Sequence, residues 1–260
     1  MSSEEKIRLG GMALSNGVLV HSPNAWACAV RLPDGTLKVA SAKKRLRSAD
    51  VTNPLLRGPA RLAEVFALLP DLRRRLPEAE LPFQRPGVLG AMAAATAAVK
   101  VVRSSPNIRP AAQELVSGLL ALAPALLSLR GGELAAYHGA EHVSIGSYEH
   151  GETVPKEHER CGGHLVGPLV ATTAIGNILA GKAPPHLRGP ARVAASVGAV
   201  AASMEIFGWM VKHPRNLVAR ALSKPGHELQ HKLSTAEPTP EQLEVAEAAL
   251  AACLALEEAA

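Results

Sequence analysis

Apolar and polar positions change period along this chain. Over residues 10–42 the apolar runs are short: Val18 to Val20, Trp26 to Val30, and Thr36 to Ala40. Short β-branched runs bounded by turn residues read as strands. Pro33-Asp34-Gly35 separates the last two, and Pro presets φ while Gly tolerates a positive one. Gly10-Gly11 and Gly17 bracket the first run, which marks backbone that another group approaches closely.

From Asn53 onward the period is helical. Leu62, Val65, Phe66 and Leu69 stand at i, i+3, i+4 and i+7, an amphipathic stripe expected to end at Pro70. A proline-rich linker follows, through Pro77, Pro82 and Pro86. Four Ala-rich apolar stretches come next, at 87–102, 115–129, 164–180 and 193–211, with a polar segment at 131–163 between the second and third. Thr239 and Pro240 fit the cap and first turn of a last helix, with Leu243, Ala246 and Leu250 on its inner face. The expectation is a mostly helical α+β fold: a β-meander over 8–50, then an Ala-rich helical bundle over 51–260 that binds metal and associates with a membrane.

The apolar stretches raise the question of a membrane. A spanning helix needs about 20 predominantly apolar residues. Stretch 193–211 has the length but contains Glu205, and 164–180 carries Thr172, Thr173 and Asn177. A carboxylate at the bilayer centre costs on the order of 3 kcal/mol on insertion scales. Hydropathy by itself leaves spans and buried bundle helices nearly tied.

Composition narrows the classes. Hydrophobic residues make up 47% but aromatics only 3%, so the interior is built from small aliphatic side chains. The formal net charge is +5, with local runs at Lys43-Lys44-Arg45 and Arg73-Arg74-Arg75. These runs lack the interleaved aromatics on which nucleic-acid bases stack, which excludes nucleic acid and leaves a solvated face or anionic lipid headgroups as their partner. Three cysteines with no CxxC pair argue for a reducing compartment. The polar Met1 to Arg8 lacks the apolar core of a secretory signal. The protein is expected at the cytoplasmic membrane, integral or peripheral, with its site facing the cytoplasm; a cytoplasmic protein is the alternative. A homo-oligomer stays open.

The chemistry is concentrated in one segment. Half of the ten histidines lie between His138 and His164, together with Glu141, Glu149, Glu152, Glu157, Glu159 and Cys161. These side chains bind zinc, iron or manganese. On a helix His142 lies about 40° round from His138, so one turn can grip one metal. Glu141 and Glu149 share that face. The order H-x-x-E-H also occurs in inverted zincins, where the Glu activates water at the zinc. Those enzymes take a further ligand from a later helix, and Glu205 is the candidate. An unpaired carboxylate in an apolar helix needs a partner, a metal or else Arg192 or Lys212. His158 and Cys161, three apart and followed by two glycines, form a second ligand pair. His150 and His164 read as structural, Cys28 as a small core residue on a strand, and Cys253 as helix packing. A catalytic Cys161–His pair lacks an orienting carboxylate.

Gly10-Gly11-Met12-Ala13 to Gly17-Val18, Leu55-Leu56-Arg57-Gly58, Tyr137-His138-Gly139-Ala140-Glu141-His142, Arg160-Cys161-Gly162 and Leu229-Gln230 with Glu237-Pro238 occur in that order. So ordered, the chain resembles the YqhQ family, bacterial proteins of unknown function described as predicted metal-dependent enzymes. The resemblance implies a metal and, since members look like multi-pass membrane proteins, tips the hydropathy balance toward a membrane. It supplies no substrate. The chain also departs from the pattern. Met12 and Asn16 stand where a Gln and a Glu are usual, His21 where an Arg is, Glu159 for a Pro and Gly163 for a Thr. If the missing carboxylate serves catalysis, this chain binds metal without turnover unless His21 or His164 compensates.

The functional expectation is a divalent metal, zinc first, held by His138, His142 and Cys161 with His158, Glu149 and Glu205 as further ligands. Glu141 is the general base of a metal-dependent hydrolase. The alternative is a membrane scaffold with a structural, non-catalytic metal site.

Overall fold

A computed structural model describes residues 6–129 and 132–259. The chain opens with a four-stranded antiparallel sheet in the order β1 (Gly10–Leu14), β2 (Gly17–His21), β3 (Ala25–Arg31) and β4 (Leu37–Lys43). The last three correspond to the expected runs. β1 carries little β-branched signal, and it forms because β2 offers it a complete ladder, Gly10 opposite His21 through Leu14 opposite Gly17. The Pro33-Asp34-Gly35 turn forms as expected: Gly35 has φ +85°, and Asp34 Oδ1 accepts from the Thr36 N–H at 2.9 Å.

Eight helices follow among the described residues: α1 (Pro54–Arg75), α2 (Pro86–Ser104), α3 (Pro110–Leu129), α4 (Glu133–His150), α5 (Val166–Gly181), α6 (Arg188–Lys212), α7 (Leu217–Leu229) and α8 (Pro240–Glu258). The fold is thus the expected mostly helical α+β type. A capping box at Thr239 and Gln242 starts α8, with Pro240 in its first turn.

Side-chain alternation divides the sheet between two cores. Val18, Val20, Ala27 and Ala29 face α4 and α8, meeting Leu134, Tyr137, Ile145, Val245 and Ala249. Leu14, Leu19, Trp26, Cys28 and Val30 face the end of α1 and meet Leu68, Leu72 and Leu76. Cys28 and Cys253 are fully buried packing residues. Helix α1 departs from expectation. It continues past Pro70, because Leu68 and Leu72 hold its last turns on the sheet. Of the stripe Leu62, Val65, Phe66 and Leu69, only Leu69 packs on the sheet core, while Leu62 and Phe66 are 44% and 58% exposed.

Helices α2 and α3, and α5 and α6 with the short turn before each, are long and apolar enough to cross a membrane. Short connections join them as two hairpins, α2 with α3 and α5 with α6. No more than 22% of each apolar stretch is buried inside the protein, so their outer surfaces are uncovered. The buried carboxylate among them is partnered within the bundle. Glu114 of α3 accepts from Arg103 Nη2 of α2 at 2.7 Å and from Asn177 Nδ2 of α5 at 3.0 Å.

Candidate metal centre

Helix α4 carries the site on the side turned toward β1. Gly132 and Gly151, both at positive φ, bound it, and Gly151 closes its C-terminus in the left-handed conformation. Two further glycines let chain pass close to it. A Cβ at Gly139 would lie 2.1 Å from the Ala236 carbonyl oxygen, and one at Gly146 would lie 2.6 Å from Val154 Cγ2. Segment 234–238 therefore lies against one side of α4, and the 151–161 loop folds back on the other.

These close approaches set the chemistry of the imidazoles. His138 Nδ1 donates to the Ser234 carbonyl at 2.7 Å, and His142 Nδ1 donates to the Lys156 carbonyl at 2.6 Å. A carbonyl can only accept, so both rings carry their proton on Nδ1 and present an Nε2 lone pair. Holding a ligating histidine by its second nitrogen is the usual outer-sphere arrangement at metal sites. The ring centroids are 4.4 Å apart. Cys161 caps the short turn before α5, its Sγ accepting from the Gly163 N–H at 3.4 Å, and lies 3.6 Å from His138 Nε2. The ligand atoms of His138, His142 and Cys161 all fall within 4.8 Å of one another, a group placed to hold a metal ion. Two nitrogens and a sulfur match the donor chemistry of zinc.

Burial tunes each group. It lowers His142 to about 3, with His138 adding to the shift, and lowers His138 as well, so both rings stay neutral. It pushes the Cys161 thiol up to about 12. Glu141 is 7% exposed and makes no hydrogen bond among the described residues; burial alone pushes its carboxyl up to about 8. It reaches β1 where a Cβ at Gly11 would come within 2.3 Å of its Oε1, which explains the glycine. Glu141, the three ligand residues, Gly10, Gly11 and His21 line one cavity of about 170 Å³.

The remaining candidates do not join the group. His158 lines the cavity, but its Nδ1 accepts from the Arg160 N–H at 3.3 Å and its Nε2 donates to Glu149 at 3.3 Å, leaving no lone pair for a metal. Glu149 is ion-paired with Arg160 and braces the loop. Glu205 is held through both its oxygens by Arg57 of α1, a partner other than the expected metal, Arg192 or Lys212. Gly58 permits this pairing by packing on Met204, which brings α1 against α6. His150 is exposed, and His164 is buried with Nδ1 on the Ser223 carbonyl and Nε2 on Gln230. Gln230, fully buried, also accepts from the His158 N–H at 2.8 Å and so ties the 158–164 loop to α7. The carbonyls of Ser234 and Lys156 were not foreseeable, since backbone acceptors leave no residue signature.

Residues 133–256, just under half of the chain, match the family described as "Protein of unknown function (DUF1385)". The match begins with α4 and takes in the whole ligand group together with α8. No curated protein and no solved structure matches the chain.

Proposed function

We propose that this chain is a membrane-embedded, zinc-dependent hydrolase that holds its metal through His138, His142 and Cys161 and uses Glu141 as general base. The YqhQ-like identity that the motifs suggest is compatible with the uncharacterised family matched over 133–256. The observation that carries the reading is the pairing of functions in one cavity. Two imidazole lone pairs and a thiol converge, and beside them stands a carboxyl with no partner of its own. Three protein ligands rather than four is the count typical of catalytic zinc sites. When bound, the cation supplies a Lewis acid that makes water a usable nucleophile near neutral pH. Glu141, whose carboxyl is shifted toward neutrality, is suited to take a proton from attacking water and return it to a leaving group.

The uncovered apolar surface of α2, α3, α5 and α6 supports the membrane part of the reading, because contiguous apolar faces of this extent are unfavourable in water. An even number of spans would leave the sheet, the site and α8 on the same side. Basic residues flanking that side (Arg73, Arg74, Arg75, Arg85, Lys212, Arg215, Arg220 and Lys224) outnumber those at the hairpin-tip ends (Lys100, Arg103, Arg109, Lys182, Arg188 and Arg192). The bias supports a site on the cytoplasmic face of the cytoplasmic membrane.

Elemental analysis tests the metal. Wild-type protein is expected to carry close to one zinc per chain, and His142→Ala or Cys161→Ser to lose it; equal metal in the variants overturns the site. A structural metal centre is the second reading, favoured by the closeness of Glu141 to Cys161, whose thiol it helps to raise. Glu141→Gln separates the two. A general base can be removed with metal retained and hydrolysis lost, whereas removing a fourth ligand releases the metal.

A further inference from the structure

His21 ends β2, opposite Gly10 of the edge strand β1, and its ring joins a charged network that reaches α1. Its Nδ1 lies 3.0 Å from Lys44 Nζ. Lys44 is in turn ion-paired with Glu64 of α1, and Glu64 also accepts from the Ser48 N–H. The Lys44 and Glu64 side chains are only 1% and 7% exposed. An ammonium group has donors and no acceptor, so His21 Nδ1 must accept, and the ring proton sits on Nε2. The Nε2 edge lies against Gly10, where a Cβ would come within 2.7 Å of it, and both residues line the cavity shared with His138, Glu141, His142 and Cys161.

One cavity therefore contains imidazoles of opposite polarity. His138 and His142, tied to carbonyls, offer lone pairs; His21, tied to an ammonium, offers an N–H. The first two can ligate a cation and the third can only donate. We propose that His21 is the hydrogen-bond donor for a substrate oxyanion in this cavity, with Lys44 and Glu64 as the positioning pair that locks its tautomer, and that the ligands taken there are of the carboxylate class. The proposal rests on the metal reading above. Preorganised donors aimed at developing negative charge are an effective way for a site to stabilise acyl-transfer chemistry, and a buried ion pair that touches no ligand itself is one means of fixing such a donor.

The test uses the full chain in detergent, loaded with cobalt(II) and titrated with acetate while the visible spectrum of the cobalt is followed. His21→Phe is expected to weaken acetate binding about tenfold or more, the worth of one hydrogen bond to a charged group, with cobalt stoichiometry unchanged. His21→Gln keeps an N–H and is expected to retain most of the affinity. Lys44→Met combined with Glu64→Gln leaves no unpaired buried charge and is expected to weaken acetate through loss of the tautomer. Equal acetate affinity in wild type and His21→Phe, with cobalt bound, overturns the role of His21 while leaving the metal site standing. Failure of wild type to take up cobalt overturns the metal reading instead. A readout independent of metal and of these variants is the nitrogen-15 spectrum of metal-free, histidine-labelled protein. His21 is expected to show a protonated Nε2 and a bare Nδ1, and the reverse tautomer overturns the proposal.

Discussion

Each side chain in the site has its protonation chosen by a neighbour or by burial. The imidazoles are neutral and ready to ligate at neutral pH, since burial takes His142 to about 3. The Cys161 thiol, raised to about 12, keeps its proton until a cation displaces it. The sign follows: ion binding releases one proton, from the thiol, while the imidazoles release none. Affinity is therefore expected to rise about tenfold per pH unit between roughly pH 6 and 8. Calorimetry in two buffers of different ionisation enthalpy checks this by counting the proton. Cys161→His, with a ligand already neutral, is expected to flatten the slope; an equal slope in that variant shows that the thiol is not the group losing the proton.

Among the elements, α4 holds its two histidines correctly only because glycines allow other segments to touch it. Gly139→Ala places a methyl in the path of the Ala236 carbonyl and must lift the 234–238 segment, which carries the acceptor for His138 Nδ1. The expected results are a loss of about 10–100-fold in metal affinity, typical of disturbed outer-sphere partners, and a stability cost of about 1–3 kcal/mol from overpacking. Helix content by circular dichroism should hold. Gly208→Ala, which meets nothing within 4 Å, is the control and should change neither quantity. Unchanged metal affinity in Gly139→Ala would show that the Ser234 contact does not position the ring. The helical phase that pairs His138 with His142 was legible from spacing alone, because the period of an α-helix is a local property. Strand β1 was not, because Gly10-Gly11-Met12 acquires its extended form from the ladder with β2.

For the molecule as a whole, the proposed four-span topology puts the sheet, the site and α8 on one side of a bilayer. Single-cysteine labelling with a membrane-impermeant maleimide checks this against little background, because Cys28, Cys161 and Cys253 are all buried. Asn107→Cys and His186→Cys, at the exposed hairpin tips, are expected to label in intact cells, and Asp50→Cys, beside the sheet, only after lysis. The opposite pattern would reverse the orientation, and uniform labelling would remove the spans. At this scale periodicity misleads in a definite way. The stripe of Leu62 and Phe66 reads as a core face, yet these residues point outward while Leu68 and Leu72 meet the sheet. An apolar stripe records only that a face avoids water; it does not say whether protein covers it.

The local order of residues was enough to place three of the four strands and most of the helices, to separate the meander from the bundle, and to single out His138, His142 and Cys161, which the fold brings together, because periodicity, turn chemistry and ligand type are written residue by residue. Only the tertiary structure decided which nitrogen of each ring is free, that Arg57 holds Glu205, and that His158 and Glu149 brace a loop. Those outcomes depend on backbone carbonyls and on partners distant in the chain. A carboxylate or an imidazole has the same identity whichever partner it meets, so the choice is made by distance and direction, which exist only once the chain has folded.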